Sequence, residues 1–543
     1  MHAEWWGASV TSSSSVRMVL AGALVLGTIV SGLGTASAEP GPAVRPAAWG
    51  QCAADVLATL PSTVTPEERA RLTCAIQEVP VDHSRPRGEK TGIAMMKRPA
   101  NDPSRKIGSI FLNPGGPGGS GLIRGAIAKN YFQPSVLDRF DVVGFDPRGV
   151  ARSAPMKCFR TQEEAAAVND GWFSLPITKD EIASSIRQSK AYTDYCRINA
   201  GPLLNHMSTE AVARDLDVMR EAVGDAQLNF VGFSYGTLLG STYANIFPHR
   251  TRAMVIDGNV DPRLRLTDGA QYDRERARGF EIALDAMLKR CDSAGVAKCA
   301  FAGDARAKFE ALKVSLAKGP ATLPDGTRVT LSDVVGRVAG DLYSIARIAP
   351  LAAWLQSVHN ALNPSLAVAS VQSTVELAAP LNNGGGRFDV DPLPDTPYTS
   401  DDSYYGVNCI DKPFSRTTRT WAATAAKWEK ESPTFGRYQA ASDLLTCATW
   451  PTRNPDRWIG PWNKKTKNPI VVVGNYFDPA TQYLFAQRMA KQLGNARLIS
   501  VDAFGHCILG RSADTDAAVA RYLVDLVAPV DGQVFQPNVQ PFA

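Results

Sequence analysis

A serine within a glycine-rich pentapeptide is the first candidate for chemistry in this chain. Ser234 is the central residue of Gly232-Phe233-Ser234-Tyr235-Gly236, which fits the pattern G-x-S-x-G. In enzymes that use this pattern, the serine lies on a sharp turn between a strand and a helix, and small neighbours allow the crowded backbone that exposes its hydroxyl. The apolar run Leu228–Val231 before the serine and the helical pattern Tyr235–Ile246 after it supply this context. We therefore predict that Ser234 is a nucleophile.

A nucleophilic serine needs a general base, and the chain has only six histidines. The expected chain order of serine, acid and histidine leaves His359 and His506. His359 lies inside a helical pattern, where a surface or packing role is the plain expectation. His506 lies in a loop after the apolar run Arg497–Val501, where a parallel sheet would deliver an imidazole to the serine. We expect His506 to be the base.

The carboxylate that orients this histidine should follow the preceding strand. The run Ile470–Val473 leads to Asp478, and a buried carboxylate there would fix the imidazole tautomer and stabilise the imidazolium ion. Asp502 is the alternative, because it is closer to His506 in sequence. It lies at the end of the same strand as the histidine rather than of the neighbouring one, and we therefore favour Asp478.

A run of glycines could supply the backbone donors that acyl transfer requires. The segment 113–121, Asn-Pro-Gly-Gly-Pro-Gly-Gly-Ser-Gly, follows the apolar run Gly108–Leu112. Glycines let a backbone approach a ligand closely, and an oxyanion must be met by N–H groups. We expect the amides of Gly116 and Tyr235 to be these donors. The segment has neither the G-K-[ST] ending of a P-loop nor the G-x-G-x-x-G pattern, which argues against nucleotide binding.

Two opposite charges, Asp146 and Arg148, follow the next apolar run, Phe140–Phe145. We expect them to form an ion pair that holds a loop beside the site.

The order of elements predicts how these residues are brought together. Short apolar runs alternate with turns or helical patterns, which indicates an α/β fold with a mostly parallel sheet and helices on both faces. Between residues 266 and 462 helical patterns take over, and this insertion is predicted to form a lid over the carboxyl ends of the strands, where ligands bind. The core would then comprise residues 39–265 and 463–543. The helical patterns of the insertion are Tyr272–Lys289, Asp304–Ala317, Leu331–Ser344 and Ala349–Asn360, followed by a Gly-, Pro- and Asp-rich loop at Leu381–Asp402.

The amino terminus has the pattern of a secretory signal peptide. Arg17 precedes the apolar run Met18–Val30, and Ala36-Ser37-Ala38 offers a cleavage site. The signal would comprise residues 1–38. The alternative is an amino-terminal membrane anchor, although the run is short for a span of about 20 residues.

Cysteine usage agrees with export. Of nine cysteines, none forms C-x-x-C, which argues against zinc binding or thioredoxin-like chemistry. In an oxidising compartment we expect sequential neighbours to pair, although eight cysteines allow about 105 pairings. Cys507 would remain a buried free thiol. The expected pairs are 52/74, 158/196, 291/299 and 409/447.

The composition excludes several classes of protein. The 543 residues carry 58 Lys and Arg against 53 Asp and Glu, a net charge of +5, with 44% hydrophobic residues. These are ordinary globular values, which exclude a disordered chain, a collagen-like repeat and a polybasic nucleic-acid arm. No nucleic-acid partner is expected, and no stable membrane insertion after signal removal. The sequence leaves the oligomeric state open.

Taken together, NPGGPGGSG, FDPRG, GFSYGT, the Asp478 loop and Gly505-His506 resemble the secreted tripeptidyl aminopeptidases of actinomycetes, which are proline iminopeptidase-like α/β-hydrolases. The resemblance runs from about Cys52 to Val527 and departs from the family after FDPRG, at residues 150–153. It implies an α/β-hydrolase fold with the triad Ser234, Asp478 and His506, and release of short peptides, typically tripeptides, from free amino termini.

Such an activity requires a carboxylate that binds the substrate ammonium group at a fixed distance from the scissile bond. Asp411 is the first choice, because it lies in a segment that resembles the family. The other candidates are Glu275, Glu281 and Asp402.

We therefore expect an exported serine hydrolase that acts on a peptide or small acyl substrate and needs no metal or organic cofactor. An esterase or amidase for a small secondary metabolite would use the same triad. A catalytically silent binding protein with this fold is a third possibility, which an intact triad disfavours.

Overall fold

The computed structural model describes residues 44–363, 396–454 and 457–543. Within them, ten strands form one sheet and two short strands form a separate hairpin. The strands are β1 (Gly50–Gln51), β2 (Thr73–Pro80), β3 (Lys90–Arg98), β4 (Gly108–Asn113), β5 (Phe140–Phe145), β6 (Leu228–Phe233), β7 (Thr251–Asp257), β8 (Ala321–Thr322), β9 (Arg328–Val329), β10 (Ile470–Phe477), β11 (Ala496–Phe504) and β12 (Val534–Phe535).

The strand order of the large sheet is β1-β2-β3-β5-β4-β6-β7-β10-β11-β12. The strands from β5 to β12 in this order pair in parallel, whereas β1, β2 and β3 pair antiparallel and β3 joins β5 antiparallel. The prediction of an α/β fold with a mostly parallel sheet is confirmed. The five apolar runs named above are present as strands, namely β4, β5, β6, β10 and β11.

The described helices follow the predicted alternation. They are α1 (Ala54–Ala58), α2 (Pro66–Ala70), α3 (Pro134–Arg139), α4 (Gln162–Asn169), α5 (Lys179–Asn199), α6 (Thr209–Ala222), α7 (Gly236–Ile246), α8 (Pro262–Thr267), α9 (Gly269–Ala294), α10 (Ala305–Leu316), α11 (Leu331–Asp341), α12 (Ile345–Leu362), α13 (Ser403–Asp411), α14 (Trp421–Glu431), α15 (Gly436–Gln439), α16 (Leu445–Thr449), α17 (Tyr483–Gln492) and α18 (Ala513–Asp525).

The side chains of a strand alternate between its two sides, and in the central strands both sides are buried. In β4, Phe111 belongs to a core on one face together with residues of α6 and α7, whereas Ile110 and Leu112 belong to a core on the other face with residues of α3 and α18. Burial on both faces explains why these strands are near-continuous apolar runs in the sequence.

The four helical patterns predicted in the insertion are present as α9, α10, α11 and α12, and their apolar residues pack in one hydrophobic core, which also includes Phe504 of β11. This core includes Phe280, Phe309 and Leu355, all at most 2% exposed. The lid boundaries at residues 266 and 462 stay a prediction. Helix α5 lies outside them, but its Ile182 and Ile186 pack against the buried cluster of α14.

Four disulfides join Cys52–Cys74, Cys158–Cys196, Cys291–Cys299 and Cys409–Cys447, and the predicted pairing of sequential neighbours is confirmed. Cys507 is free and partly buried.

The predicted signal segment, residues 1–38, lies outside the described residues, as does most of the predicted loop at 381–402. Among the helices that are described, none has the length and apolar character to cross a membrane.

Candidate active site

Ser234 occupies a sharp turn between β6 and α7. Its φ of +56° is in the left-handed region, which few residues other than glycine adopt, and such strain marks functional turns. The flanking glycines are needed for space: a Cβ on Gly232 would lie 2.4 Å from the carbonyl oxygen of Gly236, and a Cβ on Gly236 would lie 2.8 Å from the carbonyl oxygen of Asn113. The pentapeptide therefore forms the predicted strand–turn–helix that presents the serine.

His506 and Asp478 meet at the carboxyl ends of neighbouring parallel strands, β11 and β10. The imidazole Nδ1 lies 3.0 and 2.9 Å from the two carboxylate oxygens of Asp478. The side chain of Asp478 is 1% exposed. Its carboxylate also accepts hydrogen bonds from the amides of Ala480 (2.9 Å) and Thr481 (2.8 Å) and from the Thr481 hydroxyl (3.0 Å). Asp502, the alternative acid, makes no hydrogen bond to His506.

With Nδ1 donating to Asp478, the other ring nitrogen of His506 is free to accept a proton. This atom, Nε2, is buried and has no hydrogen-bond partner among the described residues. In ligand-free enzymes, hydrogen bonds between nucleophile and base often form fully only when substrate is bound.

The serine turn and the histidine loop meet at the end of β7. The backbone amide of Ser234 donates to the carbonyl oxygen of Asp257 (2.9 Å), and the thiol of Cys507 donates to the same oxygen (3.4 Å). A Cβ on the next residue, Gly258, would lie 3.1 Å from Cε1 of His506. The Asp257 carbonyl oxygen therefore binds both the backbone of the predicted nucleophile and the loop of the predicted base.

The glycine-rich segment after β4 packs directly against the serine turn. A Cβ on Gly115, whose φ is +88°, would lie 2.9 Å from both the Ser234 Cβ and the Tyr235 amide nitrogen. Only glycine fits at this approach. The next residue is Gly116, and Tyr235 precedes the first turn of α7, where backbone N–H groups lack helical partners. The oxyanion-hole role of Gly116 and Tyr235 stays a prediction that this packing supports.

The predicted ion pair between Asp146 and Arg148 is wrong, because each side chain has other partners. Asp146 accepts from the Ser120 hydroxyl (2.6 Å) and the Leu122 amide (3.1 Å), so that it holds the end of the glycine-rich segment. Arg148 forms a buried bidentate pair with Asp215, which sequence analysis did not identify.

Asp411, the predicted contact for a substrate amine, is 1% exposed. Its carboxylate accepts from the amide of Thr209 (3.2 Å) and from the Thr209 hydroxyl (2.5 Å), and that hydroxyl also contacts the Tyr235 phenol. Burial raises the pKa of Asp411 to about 6, although Thr209 and Arg265 oppose the shift. The amine-binding role of Asp411 stays a prediction, and its contacts favour an indirect effect through Tyr235.

The other three candidate carboxylates also have partners within the protein. Asp402 accepts from the Cys158 amide (2.6 Å) and the Tyr192 phenol (2.8 Å). Glu281 accepts from the amides of Thr434 and Phe435, at 2.6 and 3.0 Å. Glu275 pairs with Arg488 at 2.6 Å.

Two lid residues that sequence analysis missed support the loops of the predicted acid and base. The carbonyl oxygen of Tyr343 accepts from the His506 amide (2.9 Å), and the Tyr343 ring packs edge-on against the imidazole at 5.2 Å. Nε of Arg276 donates to the carbonyl oxygen of Ala480 (3.3 Å), in the loop that carries Asp478. The lid therefore contributes to the geometry of the site itself.

A buried ion cluster joins three elements of the lid region. Lys412 pairs with Asp273 of α9 at 2.7 Å and with Asp443 at 2.5 Å, and all three side chains are at most 1% exposed. Among the described residues, no group of three or more His, Cys, Asp or Glu side chains is placed to hold a metal ion.

Two family profiles match the chain. The profile described as "alpha/beta hydrolase fold" matches residues 108–283, which include Gly116 and Ser234. The profile described as "TAP-like protein" matches residues 432–534, which include Asp478 and His506.

Three curated relatives are similar over most of their length. The serine protease Hip1 of Mycobacterium tuberculosis is 31% identical over 84% of this chain and 86% of its own. The tripeptidyl aminopeptidase of Streptomyces coelicolor is 31% identical over 85% of this chain and 80% of its own. Carboxylesterase B of Mycobacterium tuberculosis is 28% identical over 92% of this chain and 93% of its own.

Proposed function

Because the chain belongs to the tripeptidyl aminopeptidase family of α/β-hydrolases, we propose that it is an exported serine peptidase that releases short peptides, of about tripeptide length, from free amino termini. The observation that carries the proposal is the contact of His506 with Asp478 at 2.9 Å beside the turn that bears Ser234. This constellation is the one used in acyl transfer by serine hydrolases.

In the proposed reaction, Ser234 Oγ attacks the carbonyl carbon of the scissile bond while His506 Nε2 takes the hydroxyl proton. Asp478 holds Nδ1 and stabilises the imidazolium ion. The amides of Gly116 and Tyr235 bind the oxyanion. His506 then gives the proton to the leaving amine, and the acyl-enzyme is formed. Water next attacks the acyl-enzyme while His506 takes its proton, and His506 returns this proton to Ser234 as the acid product leaves.

Export is part of the proposal. Four disulfides are typical of a chain that matures in an oxidising compartment, and the pattern of residues 1–38 fits a cleaved signal peptide. The proposed partner is a peptide or small acyl substrate, and a net charge of +5 over 543 residues gives no basis for nucleic-acid binding.

The proposal is tested with wild-type protein, Ser234→Ala and a control, Ser293→Ala, which changes an exposed serine of α9. We expect wild type and S293A to react covalently with a fluorophosphonate and to hydrolyse a free-amine tripeptidyl p-nitroanilide, whereas S234A does neither. Loss of about three or more orders of magnitude in kcat is expected for S234A. Labelling of S234A equal to that of wild type would show that the nucleophile is another residue.

An esterase or amidase is the second candidate, because Carboxylesterase B is 28% identical over 92% of this chain. The two are separated by comparing kcat/KM for the free-amine tripeptide substrate, its N-acetyl form and simple acyl esters. An aminopeptidase should prefer the free amine by at least about tenfold, since a lost charge-assisted hydrogen bond costs about 1.5–3 kcal/mol. A preference for simple acyl esters would favour the esterase.

A further inference from the structure

Asp257 is a buried carboxylate that the proposed reaction does not use. It is the last residue of β7 and is 0% exposed. Its carbonyl oxygen accepts from the Ser234 amide at 2.9 Å and from the Cys507 thiol at 3.4 Å. Through its backbone alone, Asp257 therefore contacts both the serine turn and the residue that follows the histidine.

The side chain of Asp257 extends this contact into the histidine loop. One carboxylate oxygen, Oδ2, accepts from the amides of Ile508 (2.7 Å) and Leu509 (2.9 Å). These residues follow Cys507, whose φ of +63° turns the chain sharply after the histidine. A charged acceptor shared by two amides fixes this turn more strongly than a neutral one would.

The other carboxylate oxygen, Oδ1, is buried and has no hydrogen-bond partner among the described residues. A carboxylate with an unpaired buried oxygen is costly, so its retention in the sheet needs an explanation. The neighbouring imidazole offers one, because a negative charge nearby stabilises the imidazolium ion that forms when His506 takes the serine proton.

We propose that Asp257 is a positioning residue of the active site: it fixes the histidine loop relative to Ser234, and its negative charge supports protonation of His506 during acyl transfer. The inference rests on the proposed triad. It adds a second carboxylate, on the strand between the serine and the acid, that acts on the histidine through its loop and its field rather than through a hydrogen bond to the ring.

The titratable groups that act on Asp257 are His506, Asp478 and Cys507, and Arg511 in turn acts on Cys507. Burial raises the pKa of Asp257 to about 6, the two amides and the charge of His506 oppose this shift, and Asp478 adds to it. Near neutral pH the carboxylate is ionised, and it takes up a proton in the range where a histidine also titrates. Protonation of Asp257 should then lower the rate of acyl transfer without abolishing it.

The test uses the rate of fluorophosphonate labelling of Ser234 as a function of pH, which does not depend on the natural substrate. For wild type, the logarithm of the rate should be level near neutral pH and fall on the acid side. Asp257→Asn keeps an acceptor for the two amides but removes the charge. We expect an acid limb displaced by about one pH unit to lower pH and a plateau rate about tenfold lower.

Asp516→Asn is the matched control. Asp516 accepts from the amide of Gly510 at 2.9 Å, in the same loop, and burial likewise raises its pKa to about 6. The D516N variant should leave the plateau rate and the acid limb unchanged, whereas a merely structural effect on the loop would appear in both variants.

A D257N profile equal to that of wild type would overturn the inference, and so would an equal change in D257N and D516N. If wild-type protein is not labelled at all, the proposed function fails, and the inference fails with it.

Discussion

The buried pair between Arg148 and Asp215 gives a prediction whose magnitude follows from its contacts. Both side chains are at most 1% exposed. The guanidinium donates twice to the carboxylate, at 2.7 and 2.5 Å, and also to the carbonyl oxygens of Pro80, Val81 and His206 at 2.8, 2.7 and 3.0 Å. Arg148 therefore connects the end of β2, the turn before α6 and α6 itself.

Arg148→Met removes all these donors and leaves the buried Asp215 without its guanidinium partner, although His83 still contacts it at 2.8 Å. Removing one partner of a buried ion pair lowers the free energy of unfolding by about 3–5 kcal/mol, and each unsatisfied carbonyl lowers it by at least about 1 kcal/mol. The expected loss in the free energy of unfolding is thus about 6–8 kcal/mol, a large part of the roughly 5–15 kcal/mol of a typical protein. Arg148→Lys keeps the charge but only part of the contacts, and its expected loss in the free energy of unfolding is about 2–3 kcal/mol.

Urea unfolding of the disulfide-intact protein, followed by tryptophan fluorescence, measures these losses. The decisive variant is R148M/D215L, which should be more stable than R148M alone, because it also removes the buried carboxylate that R148M leaves without its guanidinium partner. If the double variant instead loses the sum of the two single losses, the argument from the stranded charge is wrong.

The pH dependence of the stability of R148M provides an independent check. Burial alone would raise the pKa of Asp215, but Arg148 and His83 hold it below its ordinary value. A carboxylate with a depressed pKa contributes fully above its unfolded value, about pH 4, and loses its contribution as the pH falls below that. The deficit of R148M should therefore be largest near neutral pH and shrink in acid.

Two further predictions concern the active site. Asp478→Asn should lower kcat by about four orders of magnitude because it favours the wrong imidazole tautomer, whereas Asp502→Asn should leave kcat within about twofold; the reverse order in steady-state assays would make Asp502 the acid. Gly118→Ala should lower kcat by about 100-fold, because φ at Gly118 is +83° and the new Cβ would lie 2.8 Å from the Tyr404 amide nitrogen. Gly336 has open space around it, so Gly336→Ala should leave kcat unchanged. Equal kcat values for the two variants would contradict this reasoning.

Much of the fold could be predicted from sequence because the central strands are apolar on both faces. Continuous runs such as Ile470–Val473 leave little alternative to a buried parallel strand. The sequence analysis missed β2 and β3, which pair antiparallel. In β2 buried and exposed residues alternate, so this strand is not a continuous apolar run. The serine turn was predictable for a different reason, since Gly232 is required by a backbone contact with Gly236 inside the same pentapeptide.

The partners of Asp146 and Arg148 could not be predicted from the sequence. Asp146 and Arg148 are neighbours in sequence, and proximity suggested a pair, yet their partners Ser120 and Asp215 lie on other elements. Asp257 carried no signal either, because an aspartate at the end of a strand is common. Only its contacts with the turn after the histidine distinguish it.

The support that the lid gives to the site has a consequence for the divergence and the engineering of such enzymes. The Tyr343 carbonyl holds the His506 amide, and the first turn of α13 lies against Gly118, so the lid is more than a removable cover. A chimaera that carried the lid of another hydrolase would lose both supports at once. New specificities should therefore arise more readily by substitutions within the existing lid than by its exchange.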